Sequence, residues 1–170
     1  MRIFGRKEGG KNLPLLLDYF CRLKRETGIG LKLIIAGDGD IAIPHDMKGE
    51  VIDLGFLSEN DKMDAVAGAV FVCQPSVNES FSIVIMEAWL TGIPVLVHGD
   101  CDVTKWHVVE SGGGLYFRNY YEFAETTWYF LKNPDIRKEM GSQGRRYVQD
   151  IYSWPAVIGR FDEALKGFGR

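Results

Sequence analysis

Residues 70–97, VFVCQPSVNESFSIVIMEAWLTGIPVLV, constrain the fold more than any other stretch of the chain. Val70-Phe71-Val72-Cys73 is an apolar run suited to a buried strand, and Val95-Leu96-Val97 is another. Pro75-Ser76-Val77-Asn78 breaks regular structure after the first run, and Gly92-Ile93-Pro94 breaks it before the second. From Ile83 to Leu90 every residue but Glu87 is apolar. Ile83-Val84-Ile85 favours a strand on propensity, whereas Met86-Glu87-Ala88-Trp89-Leu90 followed by Thr91-Gly92 favours a helix and its stop. Two strands with so little chain between them need a crossover, and a parallel crossover is usually helical. A helix is therefore predicted here, with Ser80 or Ser82 capping its start.

That choice gives Glu87 meaning. A helix apolar all round is a buried helix, so its one carboxylate is costly unless paired or hydrogen-bonded. Glu87 lies about 7 Å along the axis from Ser82, at about 1.5 Å per residue. Glu79 precedes the helix, in the loop that follows a strand. Ligands of open α/β sheets bind at the carboxyl ends of strands, and helix N-termini attract phosphate. Two acids thus flank a helix start of that kind. The plainer alternative stands beside this: a solvated Glu79, and a Glu87 that accepts from a neighbouring backbone group.

The remaining chain frames this stretch. Strands are predicted at residues 1–4, 31–36, 51–54 and 115–117, alternating with helices. Asn12 and Pro14 open the first helix, whose face is Leu13, Leu16, Leu17, Phe20 and Leu23. Ser58-Glu59-Asn60-Asp61 opens another, with Met63, Val66 and Ala67 buried. A short helical segment surrounds Trp106. From Tyr120 the chain turns helical, with Tyr121, Ala124, Thr127, Trp128 and Leu131 on one face. Met140-Gly141 and Gly144 permit tight packing. Ser153-Trp154-Pro155 starts a last helix, with Val157, Ile158, Phe161 and Leu165 inward. The alternation predicts an α/β fold: a doubly wound parallel sheet in one domain, residues 1–170, with a helical C-terminal tail.

Three loops invite functional readings. Residues 5–12 are glycine-rich and basic between a strand and a helix, an arrangement that suits phosphate and also an ordinary solvated turn. Asp38 and Asp40, in Gly37-Asp38-Gly39-Asp40, could suggest an Asp-x-Asp metal site, but turn chemistry explains them as well, and Gly37 lets a ligand approach the backbone. Gly112-Gly113-Gly114 allows close approach of a ligand or forms a loose loop. Net charge is −3 with both signs interspersed, which gives no nucleic-acid footprint. No apolar run is long enough to span a bilayer, and Met1-Arg2-Ile3-Phe4 does not begin a secretory signal. Cys21, Cys73 and Cys101 are odd in number and widely spaced, which reads as reduced thiols in a cytoplasmic setting.

Taken in order, Gly5-Arg6 and Lys11; Leu33-Ile34-Ile35-Ala36-Gly37-Asp38-Gly39; residues 51–55; Pro75-Ser76; Glu79-Ser80-Phe81; Glu87-Ala88; and Gly92-Ile93-Pro94-Val95 resemble the C-terminal half of a glycosyltransferase of family 4. These are retaining enzymes of the GT-B architecture, and the spacing of Glu79 and Glu87 is their signature. Pro134-Asp135, Arg145-Arg146-Tyr147 and Tyr152-Ser153-Trp154 resemble the family's closing helices. The resemblance implies a nucleoside-diphosphate sugar (UDP-, GDP- or ADP-linked) as donor and no cofactor or metal. By position, Arg6 and Lys11 would hold the diphosphate, Glu87 the ribose hydroxyls and Glu79 the donor sugar. Phe81, Ser82, Ile83 and Val84 would offer backbone amides, and Gly37 and Leu54 would border the base. Glu79, Arg6 and Lys11 would carry the catalysis. Ser82 stands where many relatives have glycine, so its side chain would crowd the donor or add a hydrogen bond. The family's N-terminal acceptor domain is expected to be missing, with the abrupt start at Met1 suggesting a fragment or a short gene product. Any peripheral membrane role would fall to the full enzyme. Two other readings are a non-catalytic nucleotide-sugar-binding module or split-enzyme subunit, and a nucleotide-sugar 2-epimerase, for which His98 is the histidine to check.

Overall fold

A computed structural model describes residues 1–4 and 11–168. It contains a six-stranded sheet in the order β3-β2-β1-β4-β5-β6. The strands are β1 (Arg2–Phe4), β2 (Leu33–Ala36), β3 (Val51–Asp53), β4 (Val72–Gln74), β5 (Val95–His98) and β6 (Gly114–Phe117). Every pairing is parallel. The helices are α1 (Leu13–Thr27), α2 (Glu59–Ala67), α3 (Ile83–Leu90), α4 (Asp102–Ser111), α5 (Tyr120–Lys132), α6 (Pro134–Tyr152) and α7 (Trp154–Phe168). The doubly wound α/β sheet expected from the alternation is thus the fold. A 3₁₀ turn, His45–Met47, lies in the connection between β2 and β3.

Both faces of the sheet are buried, as an all-parallel sheet requires. The pleat divides each strand between two cores. Ile3, Leu33, Ile35, Cys73, Leu96 and Phe117 join the core beneath α1 and α5. Phe4, Ala36, Val72, Val95 and Val97 join the other, with Val66, Trp89, Val108 and Val148 from the helices. From β1 the chain steps outward through β2 and β3, then returns to place β4 on the far side of β1. The winding reverses between β1 and β4, so the crevice at their carboxyl ends is the place for a ligand.

The helix over residues 83–90 exists as predicted, and the tight packing expected of α6 is present. A Cβ on Gly141 would strike the backbone oxygen of Gly92, and one on Gly144 would strike the Trp89 ring. Two glycines of the 112–114 run are packed as closely. A Cβ on Gly113 would strike Trp89, and one on Gly114 would strike Val95 of β5, while Trp89 Nε1 donates to the Gly113 carbonyl at 2.8 Å. The three cysteines are buried and free.

Other expectations are corrected. On α7, Val157, Ile158, Phe161 and Leu165 are exposed rather than inward, and Trp154 is 79% exposed. On α5 Thr127 is buried as expected and Ala124, Trp128 and Leu131 pack partly against the core, but Tyr120, Phe123 and Phe130 are its most deeply buried residues and Tyr121 is exposed. Aromatic residues on both sides of that helix blur its stripe. Ala67 on α2 and Ile83 on α3 are also exposed. Ser82 stands at the N-cap of α3 but makes no side-chain cap bond, nor does Asn12 at α1, because both have left-handed backbones. Strand β4 extends to Gln74, one residue further than the apolar run.

Candidate functional site

The crevice between β1 and β4 is lined by two adjoining pockets that share Phe4 and Val84. One contains Lys11, Gln74, Glu79, Phe81 and Ser82, and the other Gly37, Asp38, Phe56, Glu59 and Lys62. The short helix α3 begins on its rim. The structure therefore brings Lys11, Gly37, Glu79, Phe81, Ser82, Ile83 and Val84 to one place. Arg6, the other predicted phosphate ligand, lies outside the described residues.

Lys11 Nζ lies 2.7 Å from Glu79 Oε1, and the Glu79 side chain is nearly buried. The neighbouring Asn12, at φ 54°, sends its amide across to the Pro75 carbonyl at 3.1 Å instead of capping α1. Two consecutive residues before α1 thus tether the loop that follows β4. Gln74 Nε2 donates to Glu79 Oε1 at 3.0 Å and to Ser82 Oγ at 3.4 Å. Ser82 has φ 68°, a left-handed backbone that serine adopts at a cost.

Glu87 is half-buried rather than fully enclosed, because Ile83 and Leu90 on the same helix reach solvent. Its carboxylate has a protein partner: Lys62 Nζ lies 2.8 Å from Glu87 Oε1 and 2.7 Å from Glu59 Oε2. Burial alone would lower the Lys62 pKa, but the hydrogen bonds to Glu59 and Glu87 outweigh it and hold it above its ordinary value. Gly37 and Leu54 extend the β2–β3 ladder past the strand ends. Gly37 N donates to the Gly55 carbonyl and Leu54 N to the Ile35 carbonyl, each at 2.8 Å. Among the described residues no group of three or more His, Cys, Asp or Glu side chains is placed to hold a metal ion.

His98 is not among the crevice residues. It is buried against Phe117, with ring centroids 5.1 Å apart, and its Nδ1 accepts from the Asp100 amide at 3.2 Å. Burial lowers its pKa, against the pull of Asp100 and Glu122. Sequence reasoning passed over Gln74, Lys62 and Phe56. The demand of Glu87 for a partner was the one available signal for Lys62, although the lysine lies 25 residues away.

The family described as glycosyl transferases group 1 matches residues 3–147. The chain belongs to this family. It is 30% identical to the D-inositol 3-phosphate glycosyltransferase of Corynebacterium efficiens, over 90% of this chain and 39% of that protein. It is 29% identical to the uncharacterized glycosyltransferase MJ1607 of Methanocaldococcus jannaschii, over 82% of this chain and 39% of that protein. The crystal structure of Anabaena Alr3699/HepE in complex with UDP superposes with a TM-score of 0.78 at 17% identity, over 98% of this chain and 48% of that one. That last likeness concerns the fold. This group 1 chain spans about two-fifths of the length of the two curated relatives. No described helix is long and apolar enough to cross a membrane.

Proposed function

We propose that this chain is the donor-binding part of a retaining glycosyltransferase of family 4, the C-terminal unit of a GT-B enzyme, and that it takes a nucleoside-diphosphate sugar. The observation that carries the reading is the crevice itself. Glu79 and Glu87, each ion-paired to a lysine, flank the start of α3 at the point where the sheet reverses its winding. The diphosphate would lie over the start of α3, where the amides of residues 81–84 and the helix dipole favour negative charge. Lys11, joined by Arg6 on the strength of the family resemblance, would neutralise the leaving diphosphate, so the reading needs no divalent ion. Glu87 would accept from the ribose hydroxyls while Lys62 balances its charge. Gly37 and Leu54 would border the base, with Phe56 beside them. Glu79 would face the sugar. In the reaction the bond from the anomeric carbon to the diphosphate oxygen would break, the acceptor oxygen would bond to that carbon with retention and give up its proton to the departing diphosphate oxygen, and the nucleoside diphosphate would leave. The UDP bound to the Anabaena neighbour supports a nucleotide in this crevice.

A second reading rests on α7. Its apolar face, uncovered among the described residues, supports a donor-binding chain that works only with a further polypeptide, as a module or split-enzyme subunit. Both readings need the same first test, calorimetric titration with UDP, GDP and ADP in the presence of a chelator. One nucleotide should bind, and Glu87→Ala and Arg6→Ala should each weaken it by about tenfold, the worth of a charge-assisted hydrogen bond. Absence of binding by all three nucleotides, or full affinity in both variants, would sink the assignment. Once binding is established, transfer by the chain alone to an acceptor would remove the second reading.

A further inference from the structure

Gln74 is a buried amide in the crevice to which the reading above gives no role. It is the last residue of β4 and only 3% exposed. Its two N–H groups are divided between Glu79 Oε1 and Ser82 Oγ. An ionised carboxylate only accepts hydrogen bonds, so the amide must present its nitrogen to this side, which settles the orientation of the side chain. Two consequences follow for its partners. Glu79 Oε1 receives both Gln74 and Lys11, while neither bond uses Oε2. Ser82 Oγ accepts from Gln74, so its own proton is left for another acceptor. The serine is also held at φ 68°, one residue before α3, where an anchor from the sheet is needed to keep a strained turn in place.

We infer that Gln74 is a positioning residue that clamps Glu79 and Ser82 into one preset unit, an acceptor and a donor side by side, which reads the hydroxyl groups of the donor's sugar. Sugar hydroxyls both donate and accept, so a fixed pair of opposite character distinguishes them better than either group alone. The inference rests on the crevice being a nucleotide-sugar site. Ser82 then acts as a reader of the sugar, and Gln74 explains how a serine is tolerated there.

The test replaces Gln74 with leucine, which conserves bulk and removes both bonds, and with methionine as a second variant in case the branched side chain packs badly. Two measurements are made on the whole chain. Hydrogen–deuterium exchange on the free protein follows the amides of residues 79–84. Titration compares UDP with UDP-glucose, and GDP with GDP-mannose. In the variants exchange across 79–84 should accelerate. The affinity added by the sugar should fall about three- to tenfold, the worth of one or two hydrogen bonds, over and above any loss for the bare nucleotide, whose diphosphate meets the same amides of residues 81–84. Unchanged exchange would overturn the clamp. Faster exchange with equal losses for nucleotide and nucleotide sugar would make Gln74 a structural anchor only and overturn the positioning role. Faster exchange in a protein that binds no nucleotide would overturn the functional reading, and the sugar-reading role with it, while leaving the tether itself visible.

Discussion

At Ser82 the backbone turns into α3 with φ 68°, and the side chain is held by Gln74 rather than capping the helix. A left-handed conformation costs a non-glycine residue about 1–2 kcal/mol. Glycine would relieve that cost but would lose about 0.4–1 kcal/mol through its freer unfolded chain. The hydrogen bond lost is long, 3.4 Å, and worth about 0.5 kcal/mol. The balance for Ser82→Gly runs from a loss of about 0.5 to a gain of about 1 kcal/mol, while Ser82→Val, branched at a positive φ, should destabilise by more than that loss. The urea unfolding midpoint should stay near or rise above the parent's for Ser82→Gly and fall for Ser82→Val; a fall for Ser82→Gly as large as that for Ser82→Val would mean that the turn is not strained. The sequence made both glutamates of the candidate site visible, because a lone acid in an apolar helix and an acid in a post-strand loop each demand an explanation. It could not show the sign of a backbone angle at Ser82. Nor could it show that Lys62 and Gln74 supply the partners, since those contacts exist only once the sheet and α3 have assembled.

Helices α3 and α6 show how far periodicity and glycine placement carry at the scale of an element. The glycines of α6 pointed to close packing, and Gly141 and Gly144 do lie against Gly92 and Trp89. Alanine at either position has no room, and overpacking of this kind costs about 1–3 kcal/mol or more. Gly141→Ala and Gly144→Ala should each lower the thermal midpoint by several degrees, with the loss visible in near-ultraviolet circular dichroism as Trp89 shifts. Gly159→Ala is the control. It sits on α7 with open space around it, so alanine should be neutral or stabilise by up to about 1 kcal/mol through helix propensity. Equal effects at all three positions would disprove the packing argument. Helix α7 also marks where periodicity stops. The stripe of Val157, Ile158, Phe161 and Leu165 reports a face that favours cover, but it carries no information about what covers it, and the described chain does not.

For the molecule as a whole, the two buried histidines set the direction in which stability responds to acid. His98 packs on Phe117, near Asp100 and Glu122. His107 lies beneath α6, with Nδ1 2.8 Å from the Tyr147 hydroxyl and its ring against Phe81, Trp106 and Tyr152. Burial lowers the pKa of both, and at His98 it does so against the opposing pull of the two carboxylates. In the unfolded chain each would titrate near about 6.5. A folded pKa below the unfolded one means that the unfolded state binds more protons between the two values, so stability rises with pH across that window. The histidine contribution is therefore complete above about 6.5 and is lost as pH falls toward the folded values. Chemical denaturation from pH 8 to pH 5 should show the midpoint falling on the acid side. His107→Gln, which keeps a polar group against Tyr147 and cannot titrate, should flatten part of that fall. His107 touches Phe81, so acid should also loosen the loop that carries Glu79, and nucleotide affinity should weaken over the same pH range in the parent chain and less in the variant. A pH profile of binding that is the same in both would confine the histidine to the stability of the fold.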